Sequence, residues 1–152
     1  ITNELIKADP TNRQIYQANA TAADGEISRL IDEVTSTLAI VKERRFVVFH
    51  DAYHYFESRF GMAAIGSITV SPEVMPGAAR LSDIRASVKN MGAKCIFSEP
   101  QFEPKIVSMI TKETGVNAGI LDPLGASIDA GPDHYIELIR NLALSFHKCL
   151  SK

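Results

Sequence analysis

The sequence lacks several features that would assign it quickly to a functional class. No apolar run approaches the roughly 20 residues that a membrane-spanning helix needs. Neither sign of charge dominates, since 16 lysines and arginines face 18 acidic residues for a net charge of −2. The sequence therefore gives no basic surface for nucleic acid or an anionic membrane. It also lacks a Gly-x-Ser-x-Gly elbow, a Walker loop and a Gly-x-Gly-x-x-Gly fingerprint, so the common enzyme classes have no recognisable chemical centre here.

Cysteine is scarce, because Cys95 and Cys149 are the only two in the chain. Two cysteines are too few for a disulfide scaffold, and their spacing is not that of a zinc finger. They are either two buried thiols or one bridge. Composition does not separate these alternatives while the cellular compartment is unknown.

The length and composition suit one soluble globular domain, with 152 residues of which 45% are hydrophobic. The chain opens at Ile1 without a methionine or a signal segment, and Ile1, Leu5 and Ala8 already have helical spacing. We expect these first residues to be the end of a truncated element. Asp9 and Pro10 then predict a helix start, with Asp9 as the cap and Pro10 in the first helical position.

A long helix is predicted from residue 11 to about residue 41, because no proline interrupts this stretch and its apolar residues follow the 3.6-residue period. Such a helix is roughly 45 Å long at 1.5 Å per residue, more than a small domain needs. Sustained heptads are absent, so a connection between two lobes is favoured over a coiled coil. We therefore divide the chain into a backbone helix over residues 1–45 and an α/β lobe over residues 46–152.

Short apolar runs alternate with helical patterns in the second part. The strands are predicted at residues 46–49, 63–70, 94–97 and 116–121, with a proline-rich loop at residues 71–77 and a last helix at about residues 133–150. Alternation of strands and helices with short connections is typical of a parallel sheet. The predicted fold class is α/β, with a long N-terminal helix followed by a four-stranded parallel sheet and helices on both faces.

Polar side chains follow three of these strands. His50, Glu99 and Asp122 each come at or near the end of an apolar run. The carboxyl ends of parallel strands lie along one edge of the sheet, where ligands bind in open α/β folds. Imidazole and carboxylate suit a divalent metal such as zinc or manganese. Glu99 and Asp122 precede prolines, however, and are also ordinary turn residues whose carboxylates accept local backbone N–H groups.

His54 lies four residues after His50, a spacing that raises the question of a His-x-x-x-His metal pair. The zincin form of that pair requires glutamate directly after the first histidine, and this position is Asp51. His50 also belongs to a strand end and not to a helical turn. We therefore expect that His54 is not a ligand.

Four segments in order resemble one known family. The strings FHDAYHYFESRFG, VSPEVMPGAARL, CIFSEPQF and LDPLG are similar to the C-terminal lobe of the zinc-uptake solute-binding proteins of ABC transporters (the ZnuA type). The helix motif Asp9-Pro10-x-Asn12-x-x-x-Tyr16-x-x-Asn19-Ala20 matches as well. The resemblance covers essentially the whole chain and implies two α/β lobes with the metal in the cleft between them.

The resemblance also implies roles for particular residues. His50 matches a ligand that is histidine in zinc members and typically glutamate in manganese members. Asp122 matches the aspartate that completes the manganese site, and in zinc members this residue lies beside the metal or is replaced by water or another ligand. Cys95 and Cys149 match a cysteine pair that forms a disulfide in Gram-negative members of the zinc type. Glu99 and Tyr53 are candidates for residues that support the ligands. The two remaining ligand histidines of the family belong to the N-terminal lobe, which this chain does not contain.

The function that follows from the resemblance is capture of zinc in the periplasm and its delivery to a membrane permease, without catalysis. Zinc is then cargo, held by an incomplete site that binds weakly. Capture of manganese or iron is an alternative, which His50 disfavours because hard ions prefer oxygen ligands. A metal-dependent hydrolase is an alternative from another class, and Glu99 is its only candidate base.

A chain without its N-terminal lobe is expected to expose apolar surface. The residues expected to be exposed are Ile1, Leu5, Ile15 and the aromatic sides of Tyr53 and Tyr55. Exposed apolar surface tends to recruit a partner. We therefore expect non-physiological self-association through residues 1–23.

Overall fold

A computed structural model describes residues 1–69, 76–102 and 105–152. Within these ranges the helices are α1 (Thr2–Ala8), a short 3₁₀ helix (Pro10–Asn12), α2 (Arg13–Leu38), α3 (His54–Phe60), α4 (Ala78–Asn90), α5 (Lys105–Thr114) and α6 (His134–Leu150). The strands are β1 (Phe46–Val48), β2 (Ala64–Ser67), β3 (Cys95–Ser98) and β4 (Asn117–Ile120). None of the described helices has the length and apolar character needed to cross a membrane.

The four strands form one parallel sheet in the order β2-β1-β3-β4. The predicted fold class is thereby confirmed: a long N-terminal helix precedes a four-stranded parallel sheet surrounded by helices. All four strands are found where apolar runs predicted them, and each is shorter than or shifted from its run by a few residues. Most of the predicted loop at 71–77 lies outside the described residues.

The order of the strands determines where a site can form. The chain passes from β1 to β2 on one side of β1, and then crosses back so that β3 pairs with the other side of β1. The carboxyl ends of β1 and β3 therefore flank the point at which the direction of winding reverses. In open α/β sheets this crevice is the common position of a ligand.

Alternate residues of the central strands pack on opposite faces of the sheet, as the two-residue period of a strand requires. On one face, Val47 and Ile96 belong to a core cluster with residues of α4 and α5. On the other face, the rings of Phe46 and Phe97 each contact Phe146 of α6, with ring centroids 5.0 Å apart in both pairs. Helices therefore cover both faces, and the central strands β1 and β3 are buried on both sides.

The chain divides into two compact units, Ile1–Glu33 and Val34–Lys152. In the first unit Pro10 opens the 3₁₀ helix, as its fixed backbone angle favours. Asp9 does not cap this helix through its side chain, contrary to expectation. Its Oδ2 instead accepts hydrogen bonds from Asn12 Nδ2 (2.7 Å) and the Tyr16 hydroxyl (2.9 Å), and these bonds hold the pKa of Asp9 below its usual value.

The two cysteines form a disulfide in the second unit. Cys95 on β3 and Cys149 on α6 are bonded, with their Cα atoms 6.1 Å apart. Both residues are buried. The pairing implied by the family resemblance is confirmed, and the bond joins the centre of the sheet to the last helix.

Candidate metal site

His50 and Glu99 lie in contact at the carboxyl edge of the sheet. His50 follows β1 by two residues and Glu99 follows β3 directly, and the two strands are neighbours. The distance from His50 Nδ1 to Glu99 Oε1 is 2.6 Å. Residues after adjacent parallel strands are brought together because neighbouring strands lie only about 4.8 Å apart.

The two partners differ in their access to solvent. The His50 side chain is 23% exposed, whereas that of Glu99 is 1% exposed. Burial raises the pKa of Glu99, and the adjacent His50 opposes part of this rise. Glu99 therefore contacts the imidazole from the protein side and leaves the outer part of the ring toward solvent.

Tyr53 lies beneath this pair. It is only 2% exposed, and its hydroxyl lies beside the Glu99 carboxylate without completing a hydrogen bond of good geometry among the described residues. Burial, together with the charges of Glu99 and Asp122, raises the pKa of the hydroxyl. The hydroxyl therefore stays protonated and available as a donor next to the carboxylate. The expectation that Tyr53 is exposed is wrong, because its ring packs edge-on against Phe146 at a centroid distance of 6.2 Å.

Asp122 follows β4, the strand next to β3, and its carboxylate organises the loop after that strand. Oδ1 accepts hydrogen bonds from the backbone N–H groups of Leu124 (3.2 Å) and Gly125 (3.1 Å) and from Gln101 Nε2 (2.7 Å). Oδ2 accepts one from the N–H of Ala126 (2.7 Å). Partial burial would raise the pKa of Asp122, but these donors lower it below its ordinary value. The turn interpretation of Asp122 is therefore correct, and a charged carboxylate remains at the edge of the sheet.

The structure thus brings His50 and Glu99 together and places Asp122 within electrostatic range of Tyr53. Within the described ranges, no three histidine, cysteine, aspartate or glutamate side chains come close enough to hold a metal ion. His54 is exposed at the start of α3, where its ring contacts Tyr55. An imidazole and a nearby carboxylate are donors that zinc accepts, but zinc sites usually have four ligands.

Sequence reasoning missed two residues of this region, Gln101 and Phe102. Gln101 binds Asp122, and the ring of Phe102 meets His50 edge-on at a centroid distance of 6.2 Å. Both belong to the turn after β3, which is closed by a hydrogen bond from Phe102 N–H to the Glu99 carbonyl (3.2 Å). The polar run Ser98-Glu99-Pro100-Gln101 predicts the turn itself, but not which side chains its members contact.

Comparison with known proteins shows which family the chain belongs to. The family model described as "Zinc-uptake complex component A periplasmic" (ZnuA) matches residues 1–149. This chain belongs to the ZnuA family. The family is one of solute-binding proteins.

Individual relatives support the assignment. The chain is 53% identical over 152 residues to the high-affinity zinc uptake system protein ZnuA of Brucella suis biovar 1, matching all of this chain and 46% of that protein. It is 36% identical to ZnuA of Yersinia pestis, with 99% of this chain and 47% of that protein covered. A crystal structure of ZnuA superposes with a TM-score of 0.81 at 29% identity, covering 98% of this chain and 53% of that one. The chain therefore spans about half the length of the relatives that it matches.

Proposed function

We propose that this chain takes part in high-affinity capture of zinc in the periplasm and in its delivery to the permease of an ABC transporter. His50 and Asp122 are the ligands that the chain contributes, and zinc is cargo and not a resident cofactor. The observation that carries the proposal is the position of His50. His50 lies at the point where the winding of the sheet reverses. Its Nδ1 contacts the buried carboxylate of Glu99, and part of its ring is exposed.

Zinc is the cargo that these donors favour. Zinc accepts imidazole nitrogen readily, whereas magnesium, calcium and manganese are better matched by oxygen ligands. A hydrolase has less support from the geometry. The side chain of Glu99, the candidate base, is 1% exposed and is engaged with His50, so a substrate has little access to it.

Zinc binding by this chain is expected to be weak and to depend on His50. In calorimetric titration at neutral pH, His50→Ala should abolish binding, because it removes the only imidazole among the proposed ligands. His54→Ala is the matched control, since it removes an exposed imidazole four residues away and should leave the affinity nearly unchanged. A larger effect of His54→Ala than of His50→Ala would contradict the assignment of the ligand.

Self-association is proposed for the isolated chain. Ile1, Leu5 and Ile15 of the first unit are exposed, and apolar side chains of this kind favour association. Light scattering over a range of concentrations should show a mass that rises with concentration, and Leu5→Glu with Ile15→Glu should reduce that rise. A monomeric mass at every concentration would contradict self-association.

A further inference from the structure

We propose that the turn Glu99–Phe102 is the positioning element of the zinc site, which fixes His50 Nε2 and Asp122 Oδ2 as the two ligand atoms. This inference rests on the proposed function above and adds to it residues and atoms that no relative's name supplies. The turn touches both proposed ligands: Glu99 and Phe102 contact His50, and Gln101 contacts Asp122.

The ligand atom of His50 follows from hydrogen-bond chemistry. His50 Nδ1 lies 2.6 Å from Glu99 Oε1, and we infer that the imidazole carries its proton on Nδ1 and donates it to this carboxylate oxygen. The lone pair of this tautomer is on Nε2, on the side of the ring away from Glu99. A carboxylate on the other ring nitrogen fixes the orientation of a ligand histidine and increases its basicity.

Phe102 also restrains the orientation of the His50 ring. Phe102 stacks on Phe49 with centroids 5.2 Å apart and an interplanar angle of 16°, and it meets the His50 ring at 83°. Rotation of the imidazole away from Glu99 would therefore lose both the hydrogen bond and this edge contact. Glu99 sets which nitrogen binds, and Phe102 limits how the ring is turned.

The ligand atom of Asp122 follows from a count of donors. Oδ1 accepts three hydrogen bonds, from two backbone N–H groups and from Gln101, and Oδ2 accepts one. A carboxylate has about four lone-pair positions, two on each oxygen. Oδ1 is therefore fully used, and only Oδ2 keeps a lone pair for a cation. Gln101 adds a side-chain donor to the two backbone donors of Oδ1, and it thereby ties the Asp122 carboxylate to the turn Glu99–Phe102.

The test measures the tautomer of the His50 ring and the affinity for zinc separately. Nitrogen NMR of the zinc-free chain should show the His50 ring with its proton on Nδ1, and Glu99→Gln should move it toward a mixture of tautomers, because an amide can donate as well as accept. Zinc added to the wild-type chain should shift Nε2 more than Nδ1. Glu99→Gln should weaken zinc binding by about 10-fold to 100-fold, the usual effect of removing such a partner.

Matched variants distinguish this role from a general loss of charge or stability. Glu43→Gln removes the same charge from an exposed position and should change neither the tautomer nor the affinity. Gln101→Ala should weaken binding by up to about 10-fold, whereas Gln14→Ala, at an exposed position of α2, should have no effect.

Two negative results would distinguish the positioning role from the proposed function. If His50→Ala loses zinc binding while Glu99→Gln keeps the wild-type tautomer and affinity, the positioning role is refuted and the proposed function stands. If His50→Ala binds zinc as the wild-type chain does, the proposed function itself is refuted.

Discussion

Loss of the Cys95–Cys149 bond is expected to lower the free energy of unfolding by about 4 kcal/mol. The bond closes a loop with a sequence separation of 54, and in the chain-entropy model a loop of this length restricts the unfolded chain by about that amount. The ends of the loop are β3 and α6, so the unbonded chain gains freedom over more than a third of its length. For a domain of this size, the melting temperature should fall by roughly 8–16 °C.

Urea unfolding of Cys95→Ala, Cys149→Ala and the double variant is the measurement. Each single variant breaks the same bond, so the double variant should lose little more than either one alone, since effects on one shared interaction are not additive. The wild-type chain with reductant should approach the variants, which should not respond to reductant. Additive losses in the double variant would show that the two cysteines stabilise the fold independently of each other.

Replacement of Phe146 by alanine is expected to cost about 3–5 kcal/mol, the range for removing a buried aromatic side chain. Phe146 is fully buried on α6. Its ring stacks on Phe56 with centroids 5.5 Å apart and meets Phe46 and Phe97 edge-on. The cavity left by the ring would therefore touch two central strands and α3 together.

Leu144→Ala is the control on the same helix. Leu144 is 51% exposed, and substitution at such a site should change the free energy of unfolding by no more than about 0.5 kcal/mol. The comparison is made by thermal and urea unfolding of the two variants. Similar losses in both would contradict the placement of Phe146 at the centre of the aromatic core. Tyr53 packs on Phe146, and its hydroxyl lies beside Glu99. Phe146→Ala should therefore also disturb the contact between Tyr53 and Glu99.

Much of the fold could be predicted because its signals are local. Four consecutive apolar residues predicted β1, and Gly61 ends α3 with the positive φ of 67° that glycine adopts easily. The burial of Tyr53 could not be predicted in the same way. Its partner Phe146 is remote in sequence, and helical spacing shows which residues share a face but not what covers that face.

The same distinction applies to the candidate site, where the positions of the residues could be predicted but their contacts could not. The positions of His50, Glu99 and Asp122 follow from the ends of three strands, which periodicity identifies. The strand order β2-β1-β3-β4 does not follow from periodicity, and it is this order that puts Glu99 next to His50. Gln101 is a polar turn residue in the sequence, and its contact with Asp122 exists only because β3 and β4 are paired.

The most direct test of the central claim is X-ray absorption spectroscopy of zinc bound to this chain, with protein in excess so that zinc occupies the strongest site. Zinc held by His50 should show a nitrogen neighbour at about 2.0–2.1 Å, with the outer scattering of an imidazole ring. This ring scattering should disappear in His50→Ala and persist in His54→Ala. A spectrum that is unchanged in His50→Ala would contradict the claim that His50 is the ligand that this chain supplies to zinc.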